Sequence, residues 1–201
     1  MPYELKSARF LAAEILNRAV LPGDTVVDAT MGNGHDTLSL CRLVGEAGTV
    51  YAFDIQPRAV ENTRARLAEA GMSARARLFC AGHERMAEFV PAPVSAVVFN
   101  LGWLPGGNHE TTTRWETTRL AVDAALDLLG PMGVLVVCVY PGHAEGERER
   151  QALAEHLSVL RPQAFNVLRQ QFLNAGPGAP ECIVVQKQLP PSASVQKKGD
   201  S

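Results

Sequence analysis

The chain has 201 residues, of which 46% are hydrophobic and 20% are charged, and its formal net charge is -2 with an isoelectric point near 6.2. This length is sufficient for one domain with a sizeable hydrophobic core. The nearly balanced charge argues against a protein that coats nucleic acid non-specifically, but it leaves room for a local basic patch.

Four cysteines lie far apart, each in an apolar segment, and no CxxC pair occurs: Cys41, Cys80, Cys138 and Cys182. We expect buried free thiols in a reducing compartment and no metal site. The N-terminal stretch lacks the apolar centre of a signal peptide, and no apolar run reaches membrane-spanning length. We therefore interpret the protein as cytoplasmic, with no membrane contact.

Short β-rich runs alternate with helical patterns along the chain. After an N-terminal helix, strands are predicted at 24–30, 48–55, 75–81, 95–101 and 133–140, helices at 36–45, 57–71, 86–89, 114–129 and 144–160, and two final strands at 164–173 and 181–189. Pro57 and Gly71 mark the two ends of one helix, and Thr113 with Glu116 has the spacing of a capping box at another. Residues 1–189 are predicted to form one domain, followed by a disordered tail at 190–201.

The predicted strands are continuously apolar, which indicates a mostly parallel sheet covered by helices on both faces. Five strand–helix units followed by two strands without a helix between them predict a Rossmann-like α/β fold. Its sheet would have seven strands, with the last strand antiparallel. In such sheets, ligands bind outside the carboxyl ends of the strands.

The loop after the first strand reads "DATMGNGHD", from Asp28 to Asp36. Gly32 and Gly34 allow a tight turn and close approach to a ligand, but the third glycine of GxGxxG is missing. A nearby carboxylate would repel a pyrophosphate and attract an ammonium group, so Asp36, with Asn33 in the same loop, favours an ammonium-bearing ligand. Asp36 could equally serve only as the N-cap of the next helix.

The loops after the second and third strands carry further candidate contacts. Asp54 lies 20 residues past Gly34, the spacing of an acid that accepts hydrogen bonds from ribose hydroxyls, and Gln56 could support it. Gly82 and His83 stand where an adenine edge would lie. The alternatives are a solvated carboxylate at Asp54 and an ordinary helix-start residue at His83.

These three loops in this order resemble those of class I S-adenosylmethionine (SAM) methyltransferases. The resemblance implies SAM as the cofactor, since SAM carries an amino group and a sulfonium. The cofactor residues would be Asp28, Gly32, Asn33, Gly34, Asp36, Asp54, Gln56, Gly82, His83 and Asn100. An NAD-binding fold is the main alternative, weakened by the absent GxGxxG and by the two-strand ending.

The fourth strand ends in "NLGW", Asn100 to Trp103. Amino-group methyltransferases often have an Asn/Asp-Pro-Pro-aromatic motif at this point, and "NLGW" keeps its spacing. Asn100 would accept N–H bonds from the target amine and aim the nitrogen lone pair at the methyl group, while the ring of Trp103 packs on the substrate. The alternative is a tight turn with Trp103 in the core.

Further residues after the fourth, fifth and sixth strands are candidates for substrate contact. His143 could relay a proton or simply enter a helix. With Asn100, Trp103 and His143 as the catalytic candidates, the substrate set is Leu101, Gly102, Trp103, Pro105, Gly106, Gly107, His109, Thr112, Tyr140, His143 and Asn174. Four arginines, Arg114, Arg119, Arg148 and Arg150, would either bind phosphates or pair with nearby glutamates as solvated helix charges.

Four stretches, "DATMGNGHDT", "FDIQ", "NLGWLPGG" and "YPGHAEGERE", together resemble the YtqB-like (MnmM) family, long labelled rRNA methylase. The resemblance runs from about Ser7 to Lys187. It implies methylation of the exocyclic amine of 5-aminomethyluridine, or its 2-thio form, at the tRNA wobble position. The partner would then be tRNA, contacted at its anticodon region. The alternatives are a methyltransferase of rRNA or of a small-molecule amine, and a non-enzymatic RNA-binding protein that kept the fold. A homodimer is one possible assembly of the protein. The sequence departs from the family pattern at Trp103, at 108–109 and after Asn174.

Overall fold

The computed structural model describes residues 7–102 and 112–190. Its seven strands are β1 (Thr25–Asp28), β2 (Thr49–Asp54), β3 (Ala76–Cys80), β4 (Val94–Leu101), β5 (Leu129–Val139), β6 (Phe165–Gln170) and β7 (Glu181–Lys187). The α-helices are α1 (Ala8–Ala19), α2 (His35–Val44), α3 (Pro57–Glu69), α4 (Trp115–Leu128) and α5 (Ala144–Ser158), with 3-10 helices at Ser73–Arg75 and His83–Glu88. The elements match the predicted order, and the largest boundary difference is that β5 begins at Leu129 rather than at residue 133.

The seven strands form one sheet in the order β3-β2-β1-β4-β5-β7-β6. Strands β1 to β5 are parallel to one another, whereas β7 is antiparallel to both β5 and β6. The predicted α/β fold, with seven strands and an antiparallel last strand, is confirmed. Because β6 opposes β7, it runs in the same direction as β1 to β5, and the loops after all six of these strands leave at one edge of the sheet.

Two apolar clusters cover the two faces of the sheet. Successive strand residues point to opposite faces, so Val27 faces α4 and α5 while its neighbour Val26 faces α1, α2 and α3. Both valines are fully buried, as are Phe53 and Phe99. Burying a side chain of this size contributes about 1.5–3 kcal/mol, so the two-sided core fixes the sheet beneath the site.

The helix ends mostly follow the sequence signals, with one exception. Ser7 caps α1 by accepting from the Phe10 N–H, and Pro57 lies at the start of α3. The predicted capping box at Thr113 and Glu116 is wrong, because Arg114 is the N-cap of α4 and makes no side-chain capping bond. The Thr113 hydroxyl instead donates to the Glu149 carboxylate at 2.7 Å, so a tertiary contact has replaced the local one.

The four cysteines are free thiols, but their burial differs from the prediction at one position. Cys41, Cys138 and Cys182 are buried, whereas Cys80 at the end of the edge strand β3 is exposed. Cys138 and Cys182 lie opposite each other on β5 and β7. In the described ranges, no helix is long and apolar enough to cross a membrane.

Candidate active site

A cleft lies at the carboxyl edge of the sheet, where the loops after β1 to β5 meet. It consists of two adjoining cavities that share Thr30, Gly32, Asn100 and Gly102. The Asp54 cavity, of about 470 Å³, is also lined by Gln56, Gly82, His83, Thr112 and Arg114, among others. The Asp36 cavity, of about 280 Å³, is also lined by Arg9, Asn33, Leu101, Tyr140 and His143, among others.

The glycine loop after β1 is held in place by α3. Gly34 is the N-cap of α2 with φ 77°, and a Cβ atom there would lie 2.8 Å from the Thr63 Cα. The Thr63 hydroxyl donates to the Gly32 carbonyl at 3.0 Å, and the Arg66 Nε donates to the Asn33 carbonyl at 2.7 Å. The loop therefore requires glycine at position 34, both for its left-handed backbone and for its closeness to α3.

Asp28 was predicted to touch the cofactor, and the structure places it beneath the loop instead. It is fully buried and lines neither cavity. Its Oδ2 accepts from the Thr37 hydroxyl at 2.6 Å, and its Oδ1 accepts from the Thr30 N–H at 3.3 Å. Burial, with a smaller contribution from the nearby Asp36 charge, raises the pKa of Asp28 to about 7. Its contacts shape the loop rather than the ligand surface.

Asp54 lies at the end of β2 and lines the Asp54 cavity. Its Oδ2 accepts from the Gly32 N–H at 3.1 Å and its Oδ1 accepts from the Gln56 N–H at 2.9 Å. Burial raises the pKa of Asp54 despite these hydrogen bonds. A carboxylate has about four lone-pair positions, so Asp54 retains capacity to accept from a bound ribose.

Gly82 and His83 line the far part of the Asp54 cavity. His83 begins a 3-10 helix, so the helix-start interpretation is correct, and the residue also faces the cavity. Burial lowers the pKa of His83, which favours the neutral imidazole. Its ring centroid lies 5.5 Å from that of Phe99. A neutral, partly apolar wall of this kind suits the flat edge of a purine.

Asn100 lies where the two cavities meet, and both its backbone and its side chain are held. The Asn100 N–H donates to the Thr30 hydroxyl at 2.7 Å, and its Nδ2 donates to the Asp36 Oδ2 at 2.8 Å. An ionised carboxylate only accepts hydrogen bonds, so the amide nitrogen must face Asp36. This leaves the Asn100 Oδ1 as the amide atom available to accept from a ligand.

Asp36 is in turn held by Arg9, a residue of α1. The Arg9 Nε donates to the Asp36 Oδ1 at 3.1 Å, and the Arg9 Nη2 donates to the same oxygen. Both carboxylate oxygens of Asp36 are therefore engaged before any ligand binds. Asp36 lies in the first turn of α2, but the N-cap is Gly34, so the alternative interpretation of Asp36 as an N-cap is wrong.

His143 and Tyr140 line the Asp36 cavity from the side of β5 and α5. His143 is the N-cap of α5, and its Nδ1 accepts from the Gly146 N–H at 3.1 Å. The Nδ1 lone pair is therefore used in capping, which disfavours this nitrogen as a proton acceptor. Burial raises the pKa of Tyr140 to about 12, so its phenol stays protonated and can donate.

Among the described residues, one predicted substrate residue, Asn174, is not brought into the cleft. Asn174 is exposed on the loop between β6 and β7 and lines neither cavity. Leu101, Gly102 and Thr112 do line the cleft. The remaining predictions lie outside the described residues: Trp103, Pro105, Gly106, Gly107 and His109.

The structure decides between the two interpretations for three of the four arginines. Arg119 pairs with Asp123 at 3.2 Å, Arg148 with Glu145 at 3.5 Å, and Arg150 with Glu147. These are helix charges paired with neighbours on the same helix. Arg114 differs, since it lines the Asp54 cavity.

Some lining residues were absent from the sequence prediction. Arg9 is the most informative of these, because nothing in the stretch around it signals that it meets an acid 27 positions away. Thr30 was quoted within the glycine loop, but its role as the acceptor for the Asn100 N–H depends on β1 and β4 being neighbours. In the part of the chain that the structure describes, no group of three or more potential ligands could hold a metal ion.

Comparisons with known proteins agree with this geometry. The family model described as "Putative rRNA methylase" matches residues 50–186. A protein of Arabidopsis thaliana named tRNA (mnm(5)s(2)U34)-methyltransferase, chloroplastic, is 38% identical over 192 residues, which cover 90% of this chain and 70% of that protein.

Solved structures of similar sequence are also described as methylases or methyltransferases. A "putative rRNA-methylase" from Clostridium thermocellum is 38% identical with a TM-score of 0.90, and the match covers 92% of this chain and all of the other. A "putative methyltransferase" from Streptococcus mutans, solved in complex with SAH, is 33% identical with a TM-score of 0.84, covering 92% and 99%. The predictions of a methyltransferase and of SAM as its cofactor are confirmed. The chain belongs to the rRNA methylase family of class I SAM-dependent methyltransferases.

Proposed function

We propose that this protein methylates the exocyclic amine of 5-aminomethyluridine, or of its 2-thio form, at the wobble position of tRNA. The observation that carries the proposal is the orientation of Asn100, whose Nδ2 is committed to Asp36 and whose Oδ1 is left to accept. A carbonyl oxygen at this point attracts an N–H donor, so the cleft favours an amine as the methyl acceptor.

The lining residues support one orientation of SAM along the cleft, with its adenosine in the Asp54 cavity. Asp54 would accept from the ribose hydroxyls, and His83 and Gly82 would face the adenine. The glycine loop from Gly32 to Gly34 would follow the methionine part, because its backbone can approach closely. The sulfonium would then lie near Asn100, which lines both cavities. When bound, SAM supplies an activated methyl group.

The residues around Asn100 would mainly position the acceptor. With its N–H bonded to the Asn100 Oδ1, the amine aims its lone pair at the methyl carbon. The N–C bond forms as the C–S bond breaks, and the extra amine proton passes to water. A neutral alkylamine needs no strong base, which agrees with the use of the His143 Nδ1 in capping. Positioning and exclusion of water would supply most of the acceleration.

The choice of tRNA is supported by the name of the Arabidopsis relative, which specifies a tRNA methyltransferase acting at U34. Ribosomal RNA is a second candidate, favoured by the family description. The chemistry favours the first, since a ring nitrogen or carbon would require activation of the base. The alkylamine of 5-aminomethyluridine requires only an unprotonated lone pair held in line with the sulfonium.

The proposal is tested by nucleoside mass spectrometry of tRNA and rRNA from a strain without this protein. We expect 5-aminomethyluridine to accumulate in tRNA, and the 5-methylaminomethyl nucleoside to return when the wild-type gene is restored. Purified protein with SAM should perform the same conversion on tRNA from that strain. Unchanged wobble nucleosides, together with a methyl group missing from rRNA, would replace the tRNA assignment by the rRNA one.

The Asn100→Ala variant tests the observation itself. We expect turnover to fall by about 10²–10³-fold, as for loss of one preorganised polar group at a reacting centre, with SAM affinity nearly unchanged. Asn166→Ala, on the exposed edge strand β6, is the matched control and should behave as wild type. Full activity in Asn100→Ala would contradict the role of this amide.

A further inference from the structure

The N-terminal helix α1 places one positive charge in the Asp36 cavity. Arg9 is the only lysine or arginine among the described residues that line this cavity. Both Nε and Nη2 of Arg9 bond the Asp36 Oδ1, while the Asp36 Oδ2 accepts from Asn100. Arg9, Asp36 and Asn100 thus form a continuous chain of contacts from α1 to the end of β4.

We propose that Arg9 is a positioning residue for methyl transfer, which holds and neutralises Asp36 so that the Asn100 carbonyl oxygen, rather than a free carboxylate, meets the acceptor amine. This inference rests on the proposed amine chemistry and assigns a role to a residue outside the matched range 50–186. The first effect of Arg9 is on the geometry of the site. With Oδ1 held by Arg9, the carboxylate keeps Oδ2 directed at the Asn100 amide, and the amide cannot turn over without losing that bond.

The second part concerns charge. An alkylamine is reactive only as the neutral base, and a nearby carboxylate favours the ammonium form. Asp36 without Arg9 would therefore raise the pKa of the acceptor amine and reduce the fraction that can react. Paired with Arg9, Asp36 still accepts from Asn100 but presents little net charge to the cleft.

Other titratable groups near Asp36 do not replace Arg9. Burial, with the charges of Arg66 and Arg9, lowers the pKa of His35, so this residue adds little positive charge at neutral pH. The remaining groups that face Asp36 or share its cavity are Asp28 from β1, Cys138 from β5, Tyr140 just after β5, and the α5 N-cap His143. None of these is a permanent cation.

If the Arg9–Asp36 pair only stabilised the fold, loss of Arg9 would lower the melting temperature and leave the pH profile of turnover unchanged. The Arg9 side chain is 49% exposed, and exposed ion pairs typically contribute no more than about 1 kcal/mol to folding. Loss of Arg9 should therefore leave the melting temperature and SAM affinity almost unchanged. Its effect should appear in turnover and in the pH profile.

The test compares Arg9→Met, Arg9→Lys and the control Arg18→Met, which removes an exposed arginine from the last turn of the same helix. Single-turnover rates are measured from pH 6 to 10 with tRNA that carries 5-aminomethyluridine. For Arg9→Met we expect a loss of about 10- to 100-fold at pH 7 and a pH midpoint about one unit higher, so that the loss shrinks at high pH. Arg9→Lys should restore most of the rate, and Arg18→Met should match wild type.

A second readout does not depend on the substrate. The Asn100 side-chain NH2 signals in ¹H–¹⁵N spectra, identified by their loss in Asn100→Ser, should move in Arg9→Met and not in Arg18→Met. An unchanged pH profile in Arg9→Met, or a rate loss that only follows weaker SAM binding, would overturn the inference. If wild-type protein fails to methylate 5-aminomethyluridine, the proposed function falls, while the spectra still test the Arg9–Asp36–Asn100 contact.

Discussion

Single residues of the cleft owe their orientation to partners that are far away in sequence. Asn100 is fixed by Thr30 and Asp36, and Asp54 is fixed in part by Gly32, across separations of 22 to 70 positions. Each of these partners meets its residue only because the sheet brings the strand ends together. The residue types could be predicted from the sequence, but the contacts between them could not.

Gly34 gives the sharpest test at this scale. Gly34→Ala places a Cβ atom 2.8 Å from the Thr63 Cα, in addition to the strain of a left-handed alanine. Backbone cannot move away as a side chain would, so we expect a loss of unfolding free energy of about 2–4 kcal/mol and weaker SAM binding. Urea unfolding and calorimetric titration with SAM would measure the two effects.

Gly71→Ala is the matched control for that variant. Gly71 has φ 67° against 77° for Gly34, but a Cβ atom there would meet nothing within 4 Å. It should show the conformational cost alone, about 1–2 kcal/mol, with SAM affinity unchanged. Equal effects in the two variants would mean that the contact with Thr63 is relieved by a shift of the loop.

At the scale of elements, a buried carboxylate joins α5 to the segment that leads into α4. Glu149 is 1% exposed, and its two oxygens accept from the Thr113 and Thr118 hydroxyls at 2.7 and 2.6 Å. Burial raises the pKa of Glu149, and the hydrogen bonds from the two threonine hydroxyls offset this effect only in part. The Thr113 N–H also donates to the Gly102 carbonyl, which links this junction to the end of β4.

We expect Glu149→Leu to lose about 2–4 kcal/mol of unfolding free energy, because the buried Thr118 hydroxyl and the half-buried Thr113 hydroxyl lose their acceptor. Glu149→Gln should retain most of the stability, since its amide can accept from one hydroxyl and donate to the other. Glu155→Leu, at an exposed position of α5, is the control for a leucine on this helix and should change little. A Glu149→Gln protein as unstable as Glu149→Leu would show that the charge itself is required.

The helices and strands could be predicted from the sequence because the spacing of hydrophobic residues is a local property. Strands, helices, their order and the antiparallel ending all follow from apolar periodicity and from Gly and Pro positions. The capping box at Thr113 failed because its hydroxyl donates to a carboxylate 36 positions away instead of accepting from an N–H of the helix. The same limitation hid the contact of Arg9 with Asp36. Sequence patterns within a short window predict helices, strands and turns. Contacts between polar groups far apart in sequence depend on the tertiary fold.

At the scale of the whole molecule, three of the four arginines singled out as phosphate contacts are already paired within the protein. Arg119, Arg148 and Arg150 each contact an acid three or four positions away on the same helix. With a net charge of -2, the chain offers little general attraction to polyanions. Recognition of an RNA would then depend on shape and on the bound nucleotide more than on phosphate neutralisation.

This charge pattern predicts a weak salt dependence of tRNA binding. We expect the logarithm of the association constant to fall against the logarithm of salt concentration with a slope of about -2 or shallower, since few phosphates gain a new cation. Arg148→Gln and Arg150→Gln should each change that slope by less than about one unit. Filter binding across a salt series measures it, and a slope of about -6 would mean that the helix ion pairs open to contact RNA.

The reversed direction of β7 determines where a loop of variable sequence can lie relative to the cleft. Because β7 returns between β5 and β6, the loop from 171 to 180 emerges beside His143, where a groove of about 730 Å³ adjoins the cleft on the side away from Asp54. Leu173 in this loop is 95% exposed, so the core does not constrain it. We expect substitutions or insertions there to change this groove while the glycine loop and Asp54 remain as they are. The fold thus separates the part of the sequence that must be preserved from the part that is free to diverge.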